Sequence, residues 1–428
     1  VSDNALERLP QPGSVARRAP TNPRVLRGLA RLDQLEREGT DRLYRSGDEI
    51  EVQFPDDRVI GRFWARQGGS WRVLGDAFGL KRLPADLPLR FENDWSGFIE
   101  GDIDLLRSVE PLRDLRLSGT AISDDLLVRL PALAGLRALA VQFSPATDRG
   151  VAALVHLDGL IELDLRLRGL SDAGLRSVGR LRGLRRLELA RATISDAGVA
   201  ALQPLTELRY LNLRSTPIGD DGVAWLARLE RLVSLNLWWT QVSDTSLIRI
   251  AAFRELRSLN LGGTAVTSTG LSVLRTLPHL RLLDLHGTPI DDTAAPHLAA
   301  FVGLNELSLA GTPIGDKTVR AIASLPALRS LNLSGTSITD AALPQLSALH
   351  SLEDLDLSRT AVTDSGVAAL TALPHLRTLS LASADLTDAA IDMLAALSSL
   401  VSISIQGTQI TRAGLGRLHE LRPELVIG

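Results

Sequence analysis

Residues 311–318 read GTPIGDKT, with two glycines, a lysine and a threonine at almost the spacing of a phosphate-binding loop. Such a loop needs glycine directly before the lysine, so that backbone N–H groups can wrap the phosphates. Asp316 takes that place here and its charge repels phosphate, so nucleotide binding is not expected. A second candidate is the aspartate that recurs along the chain from Asp124 to Asp388, which invites a calcium reading. Calcium requires several oxygens converging on one point, and a single carboxylate per recurrence does not supply them. Of the seven histidines, His156, His279, His297, His350, His375 and His419 fall on helical stretches or their flanking turns, and only His286 lies beside a strand. None pairs with another at metal-ligand spacing. There is no cysteine, which removes disulfides, thiolate metal sites and thiol nucleophiles. A Ser–His–Asp arrangement assembled from distant segments stays open. Catalytic loops in repetitive chains arrive as insertions, however, and this chain has none. No catalytic residue, metal or cofactor is expected.

The bulk properties narrow the partner classes. The 428 residues carry a formal net charge of −3, which gives no global attraction to nucleic acid or to an anionic membrane. No run approaches the eighteen or so apolar residues of a membrane-spanning helix. The opening VSDNALERLPQPGS lacks the apolar core of a signal peptide. The chain starts at Val1 and its only methionine is Met393, so removal of an initiator methionine or a longer leader is expected, with a cytoplasmic location. Lys81 and Lys317 are the only lysines among the basic residues, a bias that a GC-rich genome explains.

The elements that position these side chains follow from one period. Leucines open an LxxLxL frame at Leu112 and at every twenty-fourth residue to Leu400, thirteen units without insertion or deletion. Numbering each unit from that leucine, the frame is LxxLxLxxTxIxDxGLxxLxxLxx. Its first part alternates apolar and polar residues, the pattern of a strand. Position 13 is aspartate in eleven of the thirteen units. Apolar residues then recur three apart, as at Val223, Leu226 and Leu229, the stripe of a short helix. Aspartate before such a stripe reads as the helix N-cap. One strand–turn–helix unit cannot bury its apolar face alone, whereas a stack forms a continuous aliphatic core with strands on one side and helices on the other.

This pattern resembles the leucine-rich repeat family over roughly residues 88–428. The family's asparagine after the strand is replaced mostly by threonine (Thr120, Thr216, Thr240, Thr264, Thr288, Thr312, Thr336, Thr360 and Thr408), and a stacked hydroxyl ladder tying the turns is the expected substitute. Threonine together with a DxGLxxLxxL helix looks like the bacterial relatives of the helical-backed repeats of F-box proteins and ribonuclease inhibitor. The resemblance implies an α/β horseshoe solenoid with a concave parallel sheet, convex short helices and a small β-containing N-terminal cap. The expected divisions are a flexible polar arm at 1–24, an amphipathic helix from 25 to 38 and a small β-meander within 25–87. A degenerate capping repeat at 88–111, the array at 112–423 and a partial strand at 424–428 complete them. In 88–111, Phe91, Phe98, Ile103, Leu106 and Val109 fit core positions, whereas Pro88 and Asn93 do not.

Positions 3, 5, 7 and 8 of each unit point out from the concave sheet. The pair Trp238 and Trp239 stands at positions 7 and 8 of the sixth unit, where several sister units place glycine, serine or alanine. Bulk there is not a requirement of the frame. Either one tryptophan folds over the turn to shield the threonines, or the pair is an epitope. Tyr210 lies one strand away, with Arg166, Arg186, Arg191 and Arg214 around it. Tryptophan, tyrosine and arginine dominate binding hot spots. Asn212, Asn236, Asp284 and His286 complete the expected contact set, and beyond them the face turns acidic at Glu306, Asp354 and Asp356. The expected function is a recognition scaffold that holds a protein or peptide on its concave face. The alternative is a substrate-selecting or regulatory subunit of a partner enzyme. Nucleic-acid binding is disfavoured by the charge.

Overall fold

A computed structural model describes residues 49–93 and 98–428. The expected arm at 1–24 and helix at 25–38 lie outside the described residues.

The chain first forms β1 (Glu49–Gln53), β2 (Gly61–Gln67), β3 (Ser70–Asp76), β4 (Leu80–Pro84) and β5 (Leu89–Asn93). β1 and β4 pair antiparallel as a separate two-stranded sheet, and β2 pairs antiparallel with both β3 and β5. β5 then pairs parallel with β6 (Leu112–Ser118), the first full repeat strand, so the antiparallel strands continue directly into the repeat sheet. Rings fill the junction: Phe54, Phe63, Phe91 and Phe98 follow one another at centroid distances of 5.5, 5.1 and 5.8 Å. Asn93, which does not fit an apolar core position, is nevertheless buried. Its amide donates to the Ser118 carbonyl at 2.9 Å and accepts the Ser118 N–H at 2.7 Å, so it prolongs the ladder beside β6. Arg58 donates to the buried Asp102 carboxylate at 2.7 Å and ties this region to the 3-10 helix Glu100–Ser108.

Beyond β6 come β7 (Ala138–Gln142), β8 (Glu162–Arg166), β9 (Arg186–Glu188), β10 (Tyr210–Asn212) and β11 (Ser234–Asn236). Seven further three-residue strands keep the period from Ser258–Asn260 to Ser402–Ser404, and Val426–Ile427 pairs last. All are parallel and in register, each residue opposite its counterpart 24 residues on. Leucines at positions 1, 4 and 6 are buried in one continuous core. The last unit is closed by Arg422, whose guanidinium donates to the carbonyls of Leu397 at 2.7 Å and Leu400 at 2.9 Å.

Two expectations need correction. The threonine hydroxyls do not link unit to unit. From Thr216 onward each of those threonines donates to the position-6 carbonyl of its own unit, as Thr240 to Leu237 and Thr264 to Leu261, both at 2.6 Å. The position-13 aspartates do cap helices, but the helix is the next unit's. Asp124 is the first residue of helix Asp124–Arg129, whose own cap is Ser123. Its carboxylate instead accepts the Thr147 N–H and hydroxyl, both at 2.7 Å, and the Gly150 N–H at 3.1 Å. The same joint recurs from Asp172 to Ser195, Asp244 to Thr267, Asp340 to Thr363 and Asp388 to Thr411. A carboxylate at N1 bends sideways because the unpaired N–H groups of the neighbouring helix start lie within reach, each such cap contributing about 1 kcal/mol.

The joint keeps position 15 small: it is glycine in seven of the thirteen units, and Ala342 and Ala390 stand beside Asp316 and Asp364 where the helix opens as a 3-10 turn. A Cβ on Gly150 would come within 2.6 Å of Asp124 Oδ1, and one on Gly198 would run into the Asp172 carboxylate. Where position 15 is Ser246 or Thr318 instead, its hydroxyl donates to Asp220 or Asp292. Burial pushes the Asp220 carboxyl up, but the hydrogen bonds from Ser243 and Ser246 outweigh it and hold the group below its ordinary value.

Candidate binding surface

The site is built where each chain segment leaves the sheet. At position 5 an asparagine or aspartate accepts the N–H of position 7: Asn212 from Arg214 and Asn236 from Trp238 at 2.9 Å, and Asp284 from His286 at 2.9 Å. These three expected contact residues therefore each commit one side-chain oxygen to the turn. The N–H at position 8 donates to the next unit's position-7 carbonyl, as Ser215 to Trp238 at 2.7 Å and Trp239 to Gly262 at 2.8 Å.

To make that bond and turn off the sheet, position 8 takes a left-handed backbone. Gly263, Gly287, Gly311 and Gly335 have φ between 63° and 66°. Side chains occupy the same conformation at Phe143 (51°), Arg191 (67°), Ser215 (56°) and Trp239 (54°). An L side chain there costs about 1–2 kcal/mol. Trp239 gains little burial in return, since it remains 62% exposed. It stacks on Trp238 at 5.2 Å between centroids and 25° between planes. The Arg214 guanidinium lies 4.2 Å from the Trp238 ring centroid, a cation–π contact on its other neighbour. Both indoles lie over the following unit's glycines: a Cβ on Gly262 would meet Trp238 Cδ1 at 2.6 Å, and one on Gly263 would collide with Trp239. The tryptophan pair therefore forms a ledge that Gly262 and Gly263 leave room for.

Toward the N-terminus the concave face opens into a groove of about 1020 Å³ spanning the first five units. Arg166, Arg186, Arg191, Asn212 and Arg214 of the expected set line it. Tyr210 joins it through Arg186, whose guanidinium is 5.5 Å from its ring, and Trp238 through Arg214. Asn236 sits on the adjacent strand, between the groove and the ledge's turn. Asp284 and His286 lie two strands beyond the tryptophan strand and do not line the groove.

Six arginines and four carboxylates line this groove. Three arginines pair along their own strands: Arg116 with Asp114 at 3.3 Å, a carboxylate that Arg90 also holds at 2.6 Å, Arg166 with Asp164 at 2.7 Å and Arg186 with Glu188 at 2.6 Å. The hydrogen bonds that Arg166 donates to the Asp164 carboxylate raise its guanidinium above its ordinary value. Arg168, Arg191 and Arg214 have exposed side chains with no carboxylate partner among the described residues. Fifteen lining residues fall outside the expected contact set, Arg168 and Phe143 among them, the latter 57% exposed. Phe143 was detectable in principle, because it occupies position 8 of its unit, the same slot as Trp239.

Among the described residues no three metal-binding side chains gather to hold an ion, and no helix is long and apolar enough to cross a membrane.

Comparison with known proteins bears on the fold. No curated protein matches the chain. Among solved structures, an internalin from Listeria monocytogenes is 22% identical, with 73% of this chain and 86% of the internalin covered and a TM-score of 0.49. A leucine-rich repeat protein of Leptospira interrogans is 19% identical over 76% of this chain and 92% of its own, again with a TM-score of 0.49. A plant peptide hormone receptor, solved in complex with RGF2, is 16% identical over 74% and 59% of the two chains, at a TM-score of 0.43. The family model described as Leucine Rich repeat matches residues 205–227, 348–370 and 372–395. Those three matches fall within an unbroken series of thirteen units with one frame, one parallel sheet and one aliphatic core, and the chain carries leucine-rich repeats.

Proposed function

We propose that the protein is a recognition scaffold whose concave face holds a protein or peptide partner, with the groove of the first five units and the tryptophan ledge of the sixth as its contact surface. The observation that carries this reading is Trp239. A large apolar side chain stands in a left-handed backbone slot that four successive later units fill with glycine, and it stays mostly in water. Stability does not account for that combination, because the fold would be served as well or better by glycine. Strain retained at an exposed aromatic, beside a second aromatic and unpaired arginines, is the physical profile of a binding hot spot.

The test is a display library of fragments of the source genome, panned in parallel on the intact chain and on the Trp238→Gly/Trp239→Gly variant. Fragments enriched on the intact chain and lost on the variant are the expected outcome. Equal enrichment on both, or none on either, contradicts the reading.

A further inference from the structure

The geometry points to an acidic, extended peptide segment as the occupant of the groove, its carboxylates meeting Arg168, Arg191 and Arg214 and an adjoining apolar residue seated on the Trp238–Trp239 ledge. This rests on the reading of the concave face as a recognition surface and adds the chemistry of what is recognised.

The argument is one of charge left over. Three of the groove's four carboxylates are paired with Arg116, Arg166 and Arg186, each two residues away on the same strand, which leaves Glu162 alone against Arg168, Arg191 and Arg214. Arg168, Arg191 and Arg214 stand at positions 9, 8 and 7 of three successive units, where the chain leaves the sheet. Strands about 4.8 Å apart place these three within about 10 Å along the array, a distance that three or four residues of extended chain cover at about 3.3 Å each. The arginine nearest the ledge is already held: the Arg214 guanidinium sits over the Trp238 ring at 4.2 Å from its centroid, with its donors free for a carboxylate. On the other side of Trp238 stands Trp239, so the cationic step is followed immediately by an aromatic one. Farther along, the face carries Asp284, Glu306, Asp354 and Asp356. A long polyanion such as a nucleic acid would meet repulsion there, and also from Glu162 within the groove. A short acidic run ending in an apolar residue stops at the ledge before that acidic stretch and meets only Glu162, against three arginines.

The experiment uses the full chain and three labelled probes in fluorescence anisotropy. The first is a peptide with three consecutive glutamates followed by leucine and phenylalanine, and the second is its counterpart with three glutamines. The third is a twenty-nucleotide thymidine oligomer. The glutamate peptide should bind roughly tenfold or more tightly than the glutamine peptide at low salt, the sum expected of three exposed ion pairs. The Arg168→Gln/Arg191→Gln/Arg214→Gln variant should erase that difference while keeping the same circular-dichroism melting curve, because all three side chains are exposed. Raising the salt should shrink the difference as well. The proposal is overturned if the two peptides behave alike, including if neither binds, if their difference survives in the triple variant, or if the oligonucleotide binds tighter than the glutamate peptide. The fragment library separates this failure from that of the underlying reading. Fragments that are enriched and ledge-dependent but carry no acidic run refute only the charge assignment, whereas no enrichment refutes recognition by this face.

Discussion

Ser268 and Asp291 exchange the parts that aspartate and its hydroxyl-bearing partner play in the other joints. Ser268 stands at position 13, donates its hydroxyl to Asp291 Oδ1 at 2.8 Å and accepts the Asp291 N–H at 3.0 Å. Elsewhere the carboxylate sits at position 13 and the hydroxyl one unit on, at position 12, as in Asp244 with Thr267. Where the joint pairs a carboxylate with a hydroxyl at these positions it takes them in either order, whereas Asp196 and Asp292 accept the backbone N–H of Gly219 and Gly315 there instead. Ser268→Asp alone sets two carboxylates against each other and should cost roughly 1 kcal/mol or more. Asp291→Ser alone keeps a capping hydroxyl but removes the carboxylate that accepts from Ser268, and should cost about 1 kcal/mol. The double exchange rebuilds the common joint and should return to within about 0.5 kcal/mol of wild type. Urea denaturation of the four proteins measures the cycle, and simple addition of the two losses would contradict the exchange.

The joints also set the response to acid. Hydrogen bonds hold the Asp220 and Asp292 carboxyls below their ordinary values against the opposing effect of burial, and Thr411 lowers Asp388. A carboxyl depressed in the folded state binds fewer protons there than in the unfolded chain. Its contribution is complete above the unfolded value of about 3.9 and is lost as pH falls through the lower folded value. The melting temperature should stay level from pH 7 to 5 and drop steeply below about pH 4. A decline already complete at pH 5 would show that other groups govern acid unfolding.

Two glycines should fail on substitution for different reasons. A Cβ on Gly198, in a helical turn, would strike the Asp172 carboxylate. Gly198→Ala should therefore cost about 1–3 kcal/mol through overpacking, although alanine favours helix. Gly287 has φ 63° and open space around its Cβ position, so Gly287→Ala should cost about 1–2 kcal/mol from the backbone alone. Adding Asp172→Ala should recover much of the first loss and none of the second. Denaturation curves decide both, and a Gly198→Ala protein as stable as wild type would refute the steric account of the joint.

Some of this was legible in the chain and some was not, for reasons that differ by residue. The strands, the turn and the helix follow from apolar spacing, because a 24-residue period fixes which side chains face the core. The reach of Asp124 to Thr147 did not follow, since a linear pattern places an aspartate before its own helix and cannot show the helix beside it. The glycine at position 15 held the clue, as a residue kept small by an approaching neighbour. The left-handed slot at position 8 was written in Gly263, Gly287, Gly311 and Gly335, yet its bearing on Trp239 and Phe143 needs the backbone angle. Which arginines remain unpaired depended on rotamers: Arg166 turns back to Asp164, whereas Arg168, two residues on, has no acid within reach.

The most direct measurement of the central claim is urea denaturation of the Trp239→Gly variant alongside its binding to ledge-dependent fragments. Glycine relieves the left-handed strain at φ 54°, and the indole it removes is largely exposed, so stability should be unchanged or higher by up to about 1 kcal/mol. Affinity should fall by about 2–4 kcal/mol, the range of hot-spot truncation. A loss of stability above roughly 3 kcal/mol, the magnitude of a large-to-small change in a packed core, with affinity otherwise intact, would show that Trp239 serves the fold and would contradict the account.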